Sequence, residues 1–115
     1  SMLTKRKIKI PIFNYLMFVY VFDTWSDLKN NIPNEMYNKP NSIGLTIDCD
    51  TYCIICISSN TIYKSTLVHE SGHVKNLVWK YIGYTPQRDN DEVDQYLHTY
   101  IFEEVEKVIN KHLTK

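Results

Sequence analysis

The N-terminal part of the chain has the hydrophobic pattern of β-strands. Lys7-Ile8-Lys9-Ile10 alternates with a period of two, and a longer apolar run covers residues 16–22. Residues 11–14, which begin with proline and end with asparagine, separate the two segments. Because successive side chains of a strand point to opposite faces, this pattern predicts two strands joined by a turn, with the second in the middle of its sheet.

The middle of the chain predicts a short helix, an exposed loop and a hairpin. Asp23 or Thr24 can cap a short helix, because both side chains accept hydrogen bonds from free backbone amides. Residues 30–43 are polar and contain two prolines, as exposed loops do. Residues 44–47 and 52–58 are apolar segments separated by a short polar turn, which predicts an antiparallel hairpin.

Two long helices are predicted in the second half of the chain. The first runs from about Asn60 to Gly83, where glycine provides a helix stop. The second runs from about Asp91 to His112, and its apolar residues recur every three or four positions: Val93, Leu97, Tyr100, Ile101, Val105 and Val108. Strands followed by helices predict an α+β fold, with a small, mostly antiparallel sheet packed on the first long helix.

Length and charge narrow the classes of protein to consider. A chain of 115 residues has room for one domain, residues 1–115, since folded domains commonly contain about 100–150 residues. Thirteen basic residues balance thirteen acidic ones, so we expect no general attraction to nucleic acid or to an anionic membrane. The basic cluster Lys5, Arg6, Lys7 and Lys9 is interpreted as the solvated flank of a strand.

The apolar run of residues 8–22 follows a basic cluster, as the apolar part of a signal peptide does. However, Pro11 and Asn14 interrupt it, β-branched and aromatic residues dominate it, and no small-residue cleavage pattern follows. It is also shorter than the roughly 20 residues that span a membrane. We therefore expect neither a signal peptide nor a membrane segment here.

The three cysteines indicate the redox environment. Cys49, Cys53 and Cys56 are an odd number crowded into one segment, which argues against a disulfide framework and favours a reducing cytoplasm. Cys53 and Cys56 form a C-x-x-C pattern, but on a strand two residues three apart face opposite sides. We therefore interpret them as buried thiols rather than as a redox or zinc pair.

The first long helix contains the pattern His69-Glu70-Ser71-Gly72-His73. Positions i and i+4 of a helix lie one turn apart on one face, so both imidazoles can bind one zinc ion (Zn²⁺) at about 2.0–2.1 Å. Glu70 projects about 100° away from His69 around the helix, where it can accept a proton from a zinc-activated water. The sequence therefore predicts His69 and His73 as metal ligands and Glu70 as the general base.

The rest of this helix agrees with an open metal site. An apolar side, expected to pack on the sheet, is formed by Leu67, Val74, Val78 and Tyr81. The histidine side continues in a polar stripe to Asn76 and Lys80, which suits a cleft. Gly72 permits the close approach of another segment.

A catalytic zinc site needs a third protein ligand and one open position. Glu92 begins the second long helix and can fold back against the histidines after the turn that follows Gly83. It is our first choice, and His98, Asp91 and Asp94 are the alternatives, because carboxylates and imidazoles both bind zinc.

The motif, followed by Asn90-Asp91-Glu92 leading into Tyr96-Leu97, resembles the ImmA/IrrE-type and small phage-encoded zincin-like metallopeptidases. The resemblance covers about residues 44–105, and only the five-residue motif is specific. It implies a minimal zincin-like fold in which His69, His73 and Glu92 bind zinc and Glu70 is the general base. It also implies a location in the host cytoplasm if the protein is phage-encoded.

Two functional hypotheses follow from these observations. The first is a zinc-dependent metallopeptidase that hydrolyses peptide bonds of a peptide or protein substrate with Glu70 as general base. The alternative is a non-catalytic interaction or inhibitory protein with a structural or vestigial zinc site, because so small a domain has little surface for a deep pocket.

Overall fold

The computed structural model describes residues 2–33, 44–59 and 63–115, which form an α+β fold. Four strands and three helices lie within these ranges. In chain order they are β1 (Leu3–Ile10), β2 (Tyr15–Phe22), α1 (Trp25–Lys29), β3 (Gly44–Asp48), β4 (Tyr52–Ser58), α2 (Tyr63–Ile82) and α3 (Glu92–Leu113). No helix within the described ranges has the length and apolar character needed to cross a membrane.

The four strands form one mixed sheet in the order β1-β2-β4-β3. The β3–β4 pair is antiparallel, which confirms the predicted hairpin. β1 and β2, predicted as two strands joined by a turn, also pair antiparallel. The central β2–β4 pair is parallel and was not predicted. β2 and β4 are the most buried strands, so the sheet places its two apolar strands together and leaves β1 and β3 at the edges.

The two faces of the sheet are covered differently. One face packs against α2 and α3 and forms the larger hydrophobic cluster, while the other packs against the region of α1. Cys53 lies in the first cluster and Cys56 in the second, which confirms that the two side chains face opposite sides. Burial raises the pKa of each thiol to about 12, so both stay protonated at neutral pH.

The predicted ends of the helices are largely confirmed. Thr24 caps α1 through a reciprocal pair of hydrogen bonds with Asp27. α2 ends at Ile82, and Gly83 follows with a φ of 75°, the left-handed conformation that glycine adopts without strain. The predicted start of α2 near Asn60 lies outside the described residues.

The buried faces of α2 and α3 differ from the prediction at two positions. Leu67, Val74 and Val78 are buried as expected, but Tyr81 is 41% exposed, and its ring packs at a tilt against that of Tyr15 with the ring centroids 5.1 Å apart. In α3 the four apolar residues Leu97, Ile101, Val105 and Val108 are buried. Val93 is 57% exposed, because the neighbouring Asp94 takes the inward position at the start of this helix.

Candidate metal centre

His69 and His73 lie side by side on the exposed face of α2. Their Nε2 atoms are 3.1 Å apart, and their rings are nearly perpendicular with centroids 4.7 Å apart. Both residues are exposed, so the pair faces solvent rather than the core. The spacing of one helical turn therefore directs the two imidazoles to one point, as the sequence predicts.

The separation of the two nitrogens fits one tetrahedral metal ion. Two ligands at about 2.0–2.1 Å from a tetrahedral zinc lie roughly 3.3 Å apart, because the angle between the two bonds is about 109°. The 3.1 Å between Nε2 of His69 and Nε2 of His73 is close to that value. The nitrogen donors are also of the type that zinc binds well.

Glu70 projects toward the sheet from the same turn of α2. Its side chain is mostly buried, and its Oε1 accepts a hydrogen bond of 2.6 Å from the hydroxyl of Thr46 on β3. The same hydroxyl lies 3.3 Å from the backbone carbonyl oxygen of Glu70. Strand β3 therefore fixes the orientation of the Glu70 carboxylate, which lies on the sheet side of α2.

Gly44 allows β3 to approach α2 this closely. A Cβ atom at this position would lie 2.5 Å from Cγ2 of Thr66 and 3.0 Å from Cγ of Glu70. Any other residue would push the strand away from the helix or move these side chains. Sequence reasoning did not identify Gly44 or Thr46 as part of the site, because nothing local marks a contact between β3 and α2.

On its other side, α2 contacts α3 through His98. The Nε2 atom of His98 lies 3.1 Å from the carbonyl oxygen of Val68 and 3.2 Å from Oγ of Ser71. A Cβ atom on Gly72 would lie 3.5 Å from Cε1 of His98. α3 therefore packs against the small residues of the motif, and a Cβ atom at Gly72 would make only an ordinary van der Waals contact there.

Asp94 is part of a buried hydrogen-bond network. It accepts hydrogen bonds of 3.0 Å from Nζ of Lys75 and 2.6 Å from Nε1 of Trp79. Burial opposes the ionisation of Asp94, but these two bonds outweigh it and hold the pKa of the carboxyl below its usual range. Its oxygens are therefore already engaged within the helix pair.

The remaining ligand candidates lie near the start of α3. Glu92 is exposed in the first turn, and Asp91 accepts a hydrogen bond of 3.3 Å from Nε2 of Gln95. In the part of the chain that the structure describes, no three His, Cys, Asp or Glu side chains form a group that could hold a metal. The structure thus brings together His69 and His73, while the third ligand stays a prediction.

The polar stripe on the histidine side reaches the end of β3. Lys80 forms an ion pair of 2.9 Å with Asp48. The hydrogen bond from Lys80, and a second from the backbone of Asp50, hold the pKa of Asp48 below its usual range. The stripe therefore borders the same edge strand that contacts Glu70.

Comparisons with protein-family models, with curated proteins and with solved structures find no match.

Proposed function

We propose that this protein is a zinc-dependent metallopeptidase with a minimal zincin-like fold. His69 and His73 would hold the ion, and Glu70 would act as general base. The observation that carries the proposal is the 3.1 Å separation of the two exposed Nε2 atoms, with the Glu70 carboxylate in the same helical turn.

The chemistry assigned to this chain is a proton transfer through Glu70. When bound, zinc supplies a Lewis acid that lowers the pKa of a water molecule toward about 7 and polarises a carbonyl. Glu70 would take a proton from the water while the oxygen atom of that water attacks the peptide carbonyl carbon. It then gives that proton to the amine nitrogen as the C–N bond breaks, which yields a carboxylic acid and an amine.

The position of β3 supports a peptide as the substrate. β3 is an edge strand, and within the described ranges its outer side pairs with no other strand. An extended peptide can pair with such an edge through its main chain. Because Thr46 of β3 contacts Glu70, a peptide bound there would pass close to the general base.

Glu92 is retained as the proposed third ligand. It is exposed, and its carboxylate forms no ion pair with a described residue, so it is available for a metal. His98 and Asp94 have hydrogen-bond partners that metal binding would have to replace. Removing Glu92 should therefore weaken zinc binding more than removing Asp91.

The test combines metal content with hydrolysis. Purified protein should contain close to one zinc, and it should cleave a quenched-fluorescent library of mixed-sequence peptides. Glu70→Gln should keep the zinc and lose hydrolysis, while His69→Ala and His73→Ala should lose both. Glu103→Gln is the matched control, because Glu103 is an exposed carboxylate on α3.

The same measurements distinguish the metallopeptidase from the alternative, a non-catalytic zinc-binding protein. A protein that binds zinc tightly but hydrolyses no peptide would be a zinc-binding interaction protein, and Glu70 would then serve only as the partner of Thr46. A metal-free preparation that takes up no added zinc would overturn both hypotheses.

A further inference from the structure

A basic groove lies between β1 and α3, at the sheet edge opposite β3. It has a volume of about 250 Å³, and its apolar lining comes from Ile8 of β1 and Val108 of α3. Its basic lining residues are Arg6, Lys7, Lys107 and Lys111. The groove is therefore separate from the histidine pair, which borders the other edge of the sheet.

The charge of this region is strongly asymmetric although the whole chain is neutral. Four of the thirteen basic residues lie on β1 and three more follow Glu106, while residues 3–10 and 107–115 contain no acidic residue. Glu104 is the one acidic residue in the lining, and it pairs with Lys107 at 2.7 Å. Arg6 and Lys111 form no ion pair with any described residue. The groove therefore carries an unbalanced positive charge.

The edge of β1 offers a second recognition element. β1 is eight residues long and pairs with β2 on one side, and no described strand pairs with its other side. The free N–H and C=O groups of an edge strand can pair with another chain. A second copy of β1 is disfavoured, because its lysines and arginine would meet those of the first copy.

We propose that β1 and this basic groove bind an extended acidic segment of a partner protein. The segment would add a strand beside β1, and its carboxylates would pair with Arg6 and Lys111. An apolar side chain of the segment would contact Ile8 and Val108. Main-chain pairing would supply affinity, and charge would select an acidic sequence over a neutral or basic one.

A nucleic acid is the competing ligand for any basic groove. Its phosphate groups would satisfy the basic side chains, but its backbone lacks the regular series of N–H donors and C=O acceptors with which an extended peptide pairs with a strand. The apolar contacts at Ile8 and Val108 also suit a peptide side chain better than a phosphate. The groove and the strand edge together therefore favour a protein partner.

The experiment measures binding of a fluorescein-labelled octapeptide with alternating glutamate and valine. Fluorescence anisotropy should show binding that weakens about tenfold in Arg6→Glu and in Lys111→Glu, since each reverses one charge in the groove. Arg88→Glu is the matched control and should bind like wild type, because Arg88 is exposed in the turn between α2 and α3. Circular dichroism would confirm that the variants fold.

Three comparison ligands test the mode of binding. The same peptide with N-methyl groups on alternate residues, and a lysine–valine octapeptide, should each bind at least tenfold more weakly. Binding should be unchanged in Glu70→Gln and without zinc, so this proposal can fail independently of the metallopeptidase. The proposal is overturned if wild type does not bind the acidic peptide, if N-methylation has no effect, or if an oligouridylate binds more tightly than the peptide.

Discussion

The hydroxyl of Thr46 donates a 2.6 Å hydrogen bond to the carboxylate of Glu70 and thereby connects strand β3 to helix α2. A hydrogen bond to a charged group is among the stronger ones in proteins and fixes the orientation of the acceptor. The general base of the proposed peptidase is thus positioned by a strand rather than by its own helix.

Thr46 should therefore affect the rate of hydrolysis. Thr46→Val keeps the shape of the side chain but removes the donor, and we expect kcat to fall roughly tenfold, equivalent to about 1.4 kcal/mol. Thr46→Ser keeps the hydroxyl and should restore most of the activity. Steady-state hydrolysis of the peptide library measures kcat for both Thr46 variants. A Val variant with wild-type kcat would contradict a positioning role for Thr46.

A side chain at Gly44 should destabilise the protein because it would clash with Thr66, and a substitution of Thr66 tests this. Gly44→Ala places a methyl group 2.5 Å from Cγ2 of Thr66, and overpacking of this kind costs about 1–3 kcal/mol. Thr66→Ser removes that Cγ2 atom, so the double variant should recover part of the loss. Urea unfolding of the four proteins gives the coupling energy. Additive effects would show that the two residues do not clash.

Asp94 should stabilise the pair of long helices. Its side chain and that of Lys75 are only 11% and 16% exposed, so Asp94→Asn leaves a buried ammonium without its counter-ion. We expect a loss of about 2–4 kcal/mol in the free energy of unfolding at neutral pH. Asp89→Asn, at an exposed turn residue, is the control and should change stability by less than about 0.5 kcal/mol.

The same carboxylate predicts a pH dependence. The pKa of Asp94 is lower in the folded protein than its ordinary value of 3.8, so the folded state favours the charged form. Its contribution to stability is full above pH of about 4 and is lost as the pH falls through the lower folded pKa. Wild type should lose more stability than Asp94→Asn between pH 6 and pH 3, as measured by urea unfolding. If the free energy of unfolding fell equally with pH in wild type and in Asp94→Asn, the result would contradict the proposed hydrogen-bond network of Asp94.

The turn between β1 and β2 should gain stability from glycine. Ile12 has a φ of 74° and is 95% exposed, so a β-branched side chain is held in the left-handed region with no packing to compensate. Ile12→Gly should raise the free energy of unfolding by roughly 1 kcal/mol. Asn14→Gly is the comparison, with a φ of 56° that asparagine tolerates, and it should gain less. Thermal unfolding would show a higher Tm for the first variant.

Local sequence patterns were sufficient to predict most of the secondary structure and part of the candidate metal centre. Period-two alternation and short apolar runs predicted the four strands, and the capping residue Thr24 and the glycine stop at Gly83 marked helix ends correctly. The convergence of His69 and His73 was also predictable, because the two residues are one turn apart on a single helix. The exposure of Val93 was not, since Asp94 occupies the inward position through its partners on α2.

The sequence by itself determined the order of strands and helices, the helix ends marked by Thr24 and Gly83, and which face of α2 presents its two imidazoles, because these properties depend on residues a few positions apart. Only the tertiary structure decided that β2 and β4 pair in parallel, that Thr46 binds Glu70 across 24 positions, and that His98 contacts Ser71 across 27. Such contacts depend on how the elements pack, since side chains far apart in sequence meet only when the buried faces of their elements come together.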